Sequence, residues 1–149
     1  MFVFSLAVSA QQKTTEDKVK TRAIQISKKL KLNEQTSTSV YNVVKHIDTR
    51  IKDLSFGTDN YEKLISYIDE EREQMMKAAL TKDKFKEYKK YYSDRDKNEI
   101  KSLITKNESF VKREKLKTEK EERFSKSVME RDMRKVLSEE KKAAALSMK

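Results

Sequence analysis

The 149-residue chain has no cysteine, no proline and no tryptophan, one glycine (Gly57) and one histidine (His46). Each absence removes chemistry. Without cysteine there is no thiol nucleophile, no disulfide and no thiolate metal site. A single histidine leaves no basis for a His-based zinc site. His46 lies in "VVKHIDTR" with no partner at catalytic spacing, so it is expected as a helix-surface side chain. Phosphate-binding loops and dinucleotide fingerprints need several glycines where backbone approaches phosphate, and one glycine supplies neither. A β-rich domain needs turn residues at many places, which this chain lacks. No acid–base pair or nucleophile constellation is visible, so neither an enzyme nor a cofactor is expected.

What is present is charge. Charged residues make up 40% and apolar residues 36% of the chain. That balance suits amphipathic helices with narrow apolar stripes, and predicts an all-α fold of modest burial, to which dimerisation would add stability. The net charge of +10 is uneven. Residues 1–80 carry 13 Lys and Arg against 11 Asp and Glu, and residues 81–149 carry 22 against 14. A basic C-terminal part suits acidic or unfolded protein, an anionic surface or nucleic acid.

The opening "MFVFSLAVSAQQ" differs from all that follows. Phe2 to Ala10 is apolar or small and ends in a small-residue site, so residues 1–10 read as a truncated signal-peptide remnant with cleavage near Ala10. The run is too short to span a membrane. Export would place the mature chain in the periplasm or otherwise outside the cytoplasm.

Four apolar stripes follow. Val19, Ala23, Ile26 and Leu30 recur at helical spacing. Asn33 is a suitable N-cap for a second helix with the stripe Val40, Val43, Val44, Ile47, Ile51 and Leu54, which ends at "SFGTDN". Asp59 and Glu62 form a capping-box-like start to a third helix, with Tyr61, Leu64 or Ile65, Ile68, Met75 and Ala79 on its stripe and Arg72 in the remaining stripe position. Thr81 opens a fourth, where Phe85, Tyr88 and Tyr92 line one face and Lys82, Lys86, Lys89 and Lys90 fall largely on others. Beyond Asp96 the stripe thins, and "REKLKTEKEER" has one apolar residue in eleven, a helix held by i,i+4 charge pairs. The expected organisation is therefore residues 1–10, a helical domain over 11–96, and a basic helical extension over 97–149.

Two of the helix starts follow a leucine: "LNEQTSTSVY" from Leu32 and "LTKDKFKEY" from Leu80. The second, preceded by "DEEREQMMKAA", resembles the Spy/CpxP family of periplasmic helical proteins, marked by LTxxQ motifs at helix starts, and the related small helical proteins of Bacteroidetes. Leu80, Thr81, Phe85 and Tyr88 match, and Lys84 stands where Gln is usual. In the first motif Leu32 and Asn33 align with Leu-Thr, while the Gln position falls on Thr36. The resemblance covers roughly Leu30 to Ile100; the extension has no counterpart in it. It implies a thin helical hairpin or cradle arrangement, a homodimer, and an ATP-independent chaperone or envelope-stress protein; the four amphipathic helices, the last long and extended, come from the stripes and the charged extension themselves.

On that reading Leu32, Asn33, Leu80, Thr81, Lys84, Phe85 and Tyr88 lock helix junctions. Met75, Met76, Lys86, Lys89 and Lys90 are the candidates for contact with unfolded or acidic clients, flexible Met side chains tolerating varied partners. Two alternatives stand beside it. The extension serves as a structural coiled-coil or assembly element, though without a sustained a/d heptad. Or it binds an anionic surface or nucleic acid, with Tyr91 and Tyr92 stacking on bases; the interspersed Glu and Asp dilute its field and weigh against this.

Overall fold

The computed structural model describes residues 3–148, with side chains from Thr15 onward; the expected signal remnant at residues 1–10 lies outside the described side chains. Among the described residues there are four helices and no strands: α1 (Val3–Leu30), α2 (Glu34–Asp53), α3 (Tyr61–Ala79) and α4 (Lys82–Ser147). The all-α expectation holds, and the last helix is 66 residues long.

Each helix end has a local cause. Leu30 is followed by Lys31 at φ 54°, the left-handed region. The Leu32 amide donates to the Ser27 carbonyl at 3.0 Å and the Lys31 amide to that of Lys28 at 3.3 Å, the paired bonds of a Schellman stop. Glycine is the usual residue there; a side chain with a Cβ costs about 1–2 kcal/mol. At the start of α2, the Asn33 side chain accepts from the Thr36 amide at 2.8 Å. Gly57, at φ 84°, takes the third position of a turn closed by the Thr58 amide on the Ser55 carbonyl. The start of α3 differs from expectation: Asn60, not Asp59, is the capping residue, in left-handed conformation and without a side-chain cap. The Tyr61 amide instead donates to the Thr58 carbonyl at 3.1 Å, so a tight turn replaces the capping box.

The chain forms two compact units, one ending at Asn107 and one beginning at Glu108. The first does not end near residue 96, because Ile100 is buried and Leu103 and Ile104 pack against the same core. That core is the sum of the stripes: Val19, Ala23, Ile26 and Leu30 from α1, Val40, Val43, Val44 and Ile47 from α2, Tyr61, Ile65, Ile68 and Met76 from α3, with Leu80, Tyr88 and Ile100. Burying a side chain such as Ile26 or Leu30 contributes about 1.5–3 kcal/mol. Joins of a few residues make successive helices antiparallel neighbours. Backbones approach closely between α1 and α2 and between α2 and α3, while α4 meets the others through long side chains. In the second unit no described residue is fully buried.

Candidate binding surface

Both leucine-led junctions lie at one end of the first unit. At the α3–α4 junction Leu80 is buried and Thr81 Oγ1 accepts from the Lys84 amide at 3.3 Å, while the Phe85 amide closes on the Thr81 carbonyl at 2.8 Å. Phe85 packs against the core, and Tyr88 is within it. The Lys84 side chain is half-buried, its ammonium 4.0 Å from Glu87. At the α1–α2 junction Leu32 packs against the same core behind the Asn33 cap. The Lys29 ammonium sits 4.6 Å from the centre of the Tyr91 ring, joining α1 to α4 there.

The client-contact candidates separate. Met76 is 1% exposed and belongs to the core, so it is not available to a client; Met75 beside it is half-buried. The buried line of α3 is Tyr61, Ile65, Ile68, Arg72 and Met76, one residue out of phase with a stripe through Met75 and Ala79. Lys89 is already engaged with Glu73 at 2.8 Å, and Lys90 lies 5.6 Å from the Tyr91 ring centre. Lys86 is exposed.

Behind the junctions is a charged interior that the stripes alone do not reveal. Arg72, on the buried face of α3, reaches Asp69 at 2.6 Å, Glu99 at 3.3 Å and Asp96 at 3.6 Å. Arg22 of α1 pairs with Glu99 at 2.8 Å, Arg95 meets Asp96 at 3.1 Å, and the Tyr88 hydroxyl donates to Asp96. Three guanidinium groups thus balance three carboxylates. Burial pushes against the charge on Arg72, but Asp96, then Asp69 and Glu99, hold its pKa above the ordinary arginine value. Burial likewise opposes the Glu99 charge, and Arg22 followed by Arg72 outweighs it, leaving the carboxyl below its usual range. Burial, reinforced by the Asp96 charge, raises the Tyr88 phenol. Such a network holds three helices in register. On the Asp69 and Asp96 side the cavity beside it has a volume of about 40 Å³, and on the α1–α2 side a concavity of about 340 Å³ is lined by Arg22 and Glu99 with Lys18 and Asp48.

His46 is on the surface, as its sequence setting suggests, with Nε2 2.9 Å from Glu71. That hydrogen bond is the largest influence lowering the Glu71 carboxyl pKa, with Arg50 adding to it. Among the described residues, no group of three or more His, Asp or Glu side chains is placed to hold a metal ion. No described helix is long and apolar enough to cross a membrane.

A groove open to solvent, of about 570 Å³, lies between α1 and α2. Its α1 wall is Lys20, Ala23, Ile24, Ser27, Lys28 and Lys31, a helical face at spacings of three, one, three, one and three; its α2 wall is Glu34, Ser37, Thr38 and Tyr41, with Leu32 at the closed end. Sequence reasoning missed this face because Ile24 is its one large aliphatic residue on α1 and lies outside the core stripe. A scan of protein-family models found no family matching the chain, and searches of curated proteins and of solved structures found no match.

Proposed function

We propose that this is a non-enzymatic, exported helical binding protein that acts as an ATP-independent chaperone or envelope-stress protein on unfolded or acidic clients. The observation that carries the reading is in the second unit. Phe124, Met129 and Met133 are each more than 60% exposed on an intact helix, set among Arg123, Lys126, Arg131 and Arg134. Large apolar side chains held in water beside cations attract chain segments at long range and hold them weakly. The likeness of Leu80 to Tyr88 to a helix-opening LTxxQ motif supports the same reading, as does the apolar opening of the chain for export.

The purified protein, added in several-fold molar excess to a chemically unfolded client, is expected to lower light scattering during refolding without ATP. Added salt should weaken the effect, since surface charge is screened over about 8 Å at physiological ionic strength. No suppression at that excess refutes the chaperone reading. N-terminal sequencing of the native protein tests export: cleavage near Ala10 agrees with it, and an intact Met1 in the cytosol does not.

One feature favours assembly as a second reading. Met129, Met133, Val136 and Ala143 follow at spacings of four, three and seven, a short seam with Glu140 in its middle. Sedimentation equilibrium at rising concentration decides whether that seam pairs copies of the chain.

A further inference from the structure

We propose that the α1–α2 groove is a docking site for a short peptide segment in which apolar residues alternate with several carboxylates. This rests on the reading of the protein as a client-binding module and names a client chemistry and a place for it.

Charge, length and openness point to that occupant together. Lys20, Lys28 and Lys31 are all exposed on the rim, and none has an acidic partner within ion-pair distance among the described residues. Glu34 is the one acid in the lining and sits at the start of α2. From Lys20 to Lys31 the rim runs about 16 Å at the 1.5 Å rise of a helix. Three cations spread over that length match several carboxylates along a chain, not one anionic headgroup. The floor between them is apolar, with Ala23, Leu32, Tyr41 and Ile24, which is 52% exposed. Because the groove is open along its length, a lipid tail there would stay half in water, whereas a peptide can turn its polar face outward.

Lys31 adds an independent indication. It holds a left-handed backbone position that glycine takes without strain, and its side chain lines the groove. A lysine there works against the fold and for the rim.

The test uses the full chain and a fluorescein-labelled peptide of about twelve residues, long enough to span the rim, with Leu and Glu in alternation. Fluorescence anisotropy at low salt should give saturable binding. Lys28→Glu and Ile24→Asp should each weaken it about tenfold or more, and the same peptide with Lys for Glu should not bind. Lys31→Gly should raise the melting temperature while weakening the peptide, opposite directions that general damage to the fold would not produce. The proposal is overturned if the Lys-containing peptide binds equally well, or if Lys31→Gly leaves affinity unchanged. It is also overturned if dodecanoate occupies the groove and the peptide does not, or if Lys28→Glu dissociates a dimer, which would make a second copy the occupant. Light scattering on the same variants separates the two claims. If wild type and Lys28→Glu suppress client aggregation equally and neither binds the peptide, the groove proposal fails and the chaperone reading stands. Peptide binding without suppression by wild type supports the groove and sinks the chaperone reading.

Discussion

Both stretches of α4, Lys82 to Asn107 and Glu108 to Ser147, are lysine-rich and carry aromatic and aliphatic side chains, although Leu116 stands alone between Val111 and Phe124. Yet Tyr88, Asp96 and Ile100 are buried in the first stretch, and no described residue of the second is. The difference is not in hydrophobicity alone. In the first stretch, the acids that fall on the inner face have partners of opposite sign on α1 and α3, and Asp96 a further one, Arg95, on α4 itself. Arg22 and Arg72 meet Glu99, and Arg72 and Arg95 meet Asp96. In the second, the described pairing is along the helix itself, as between Arg134 and Glu130 at 3.9 Å. A charge-rich helix becomes part of a core when its inward charges are neutralised across helices; otherwise it stands on its own propensity and its i,i+4 pairs.

The sharpest way to break this contrast is to remove the central cation. Arg72→Met should cost about 3–5 kcal/mol in urea unfolding, because Asp96 and Glu99 are left without their shared partner in a dry site. Arg123→Met, in the second unit, should change stability by less than about 0.5 kcal/mol. Apolar truncation should divide the same way: Ile26→Ala is expected to cost about 2–5 kcal/mol, and Leu116→Ala, at a half-exposed site, within about 0.5 kcal/mol.

Acid and alkali probe the network without mutation. The Glu99 carboxyl is lowered in the folded state, so its contribution is complete above the unfolded value of about 4.3 and is lost as pH falls through the lowered one. The Tyr88 phenol is raised, so its contribution is complete below about 10 and is lost as pH rises toward the raised value. Melting temperature against pH should therefore fall at both ends. In Tyr88→Phe the alkaline fall should shrink and the acid one remain. The smallest effects belong to the junctions: Asn33→Ala and Thr81→Ala should each cost about 1 kcal/mol, the usual loss of an N-cap, read from urea midpoints.

Much of the first unit is legible in the sequence. The α1 stripe at Val19, Ala23, Ile26 and Leu30 and the α2 stripe at Val40, Val43, Val44 and Ile47 are buried as their spacing requires. Both Asn33 and Thr81 accept a capping hydrogen bond. On α3 the period alone leaves Met75 and Met76 one residue apart in phase, and Arg72 marks the answer once it is taken as core: four residues on is Met76. The ion network is harder to read, because pairing across helices is a tertiary event that i,i+4 spacing does not encode. Its signal is there nonetheless. Tyr88, Tyr92, Asp96 and Ile100 continue one face at intervals of four, so an acid occupies a stripe position on α4 just as an arginine does on α3. The α1–α2 groove left almost no trace, since lysines eight and three apart look like any solvated face until a second helix stands beside them.

The amide of Gly57 donates to Asn107 Oδ1 at 2.8 Å, clasping the α2–α3 loop to the last residue of the first unit. For exchange with heavy water this bond is a boundary in time. Amides of α4 before Asn107 open only when the packed unit opens with them, whereas those after Glu108 are released by fraying of a single helix. One uninterrupted helix should therefore hold two populations of protons, one lost slowly together and one lost quickly.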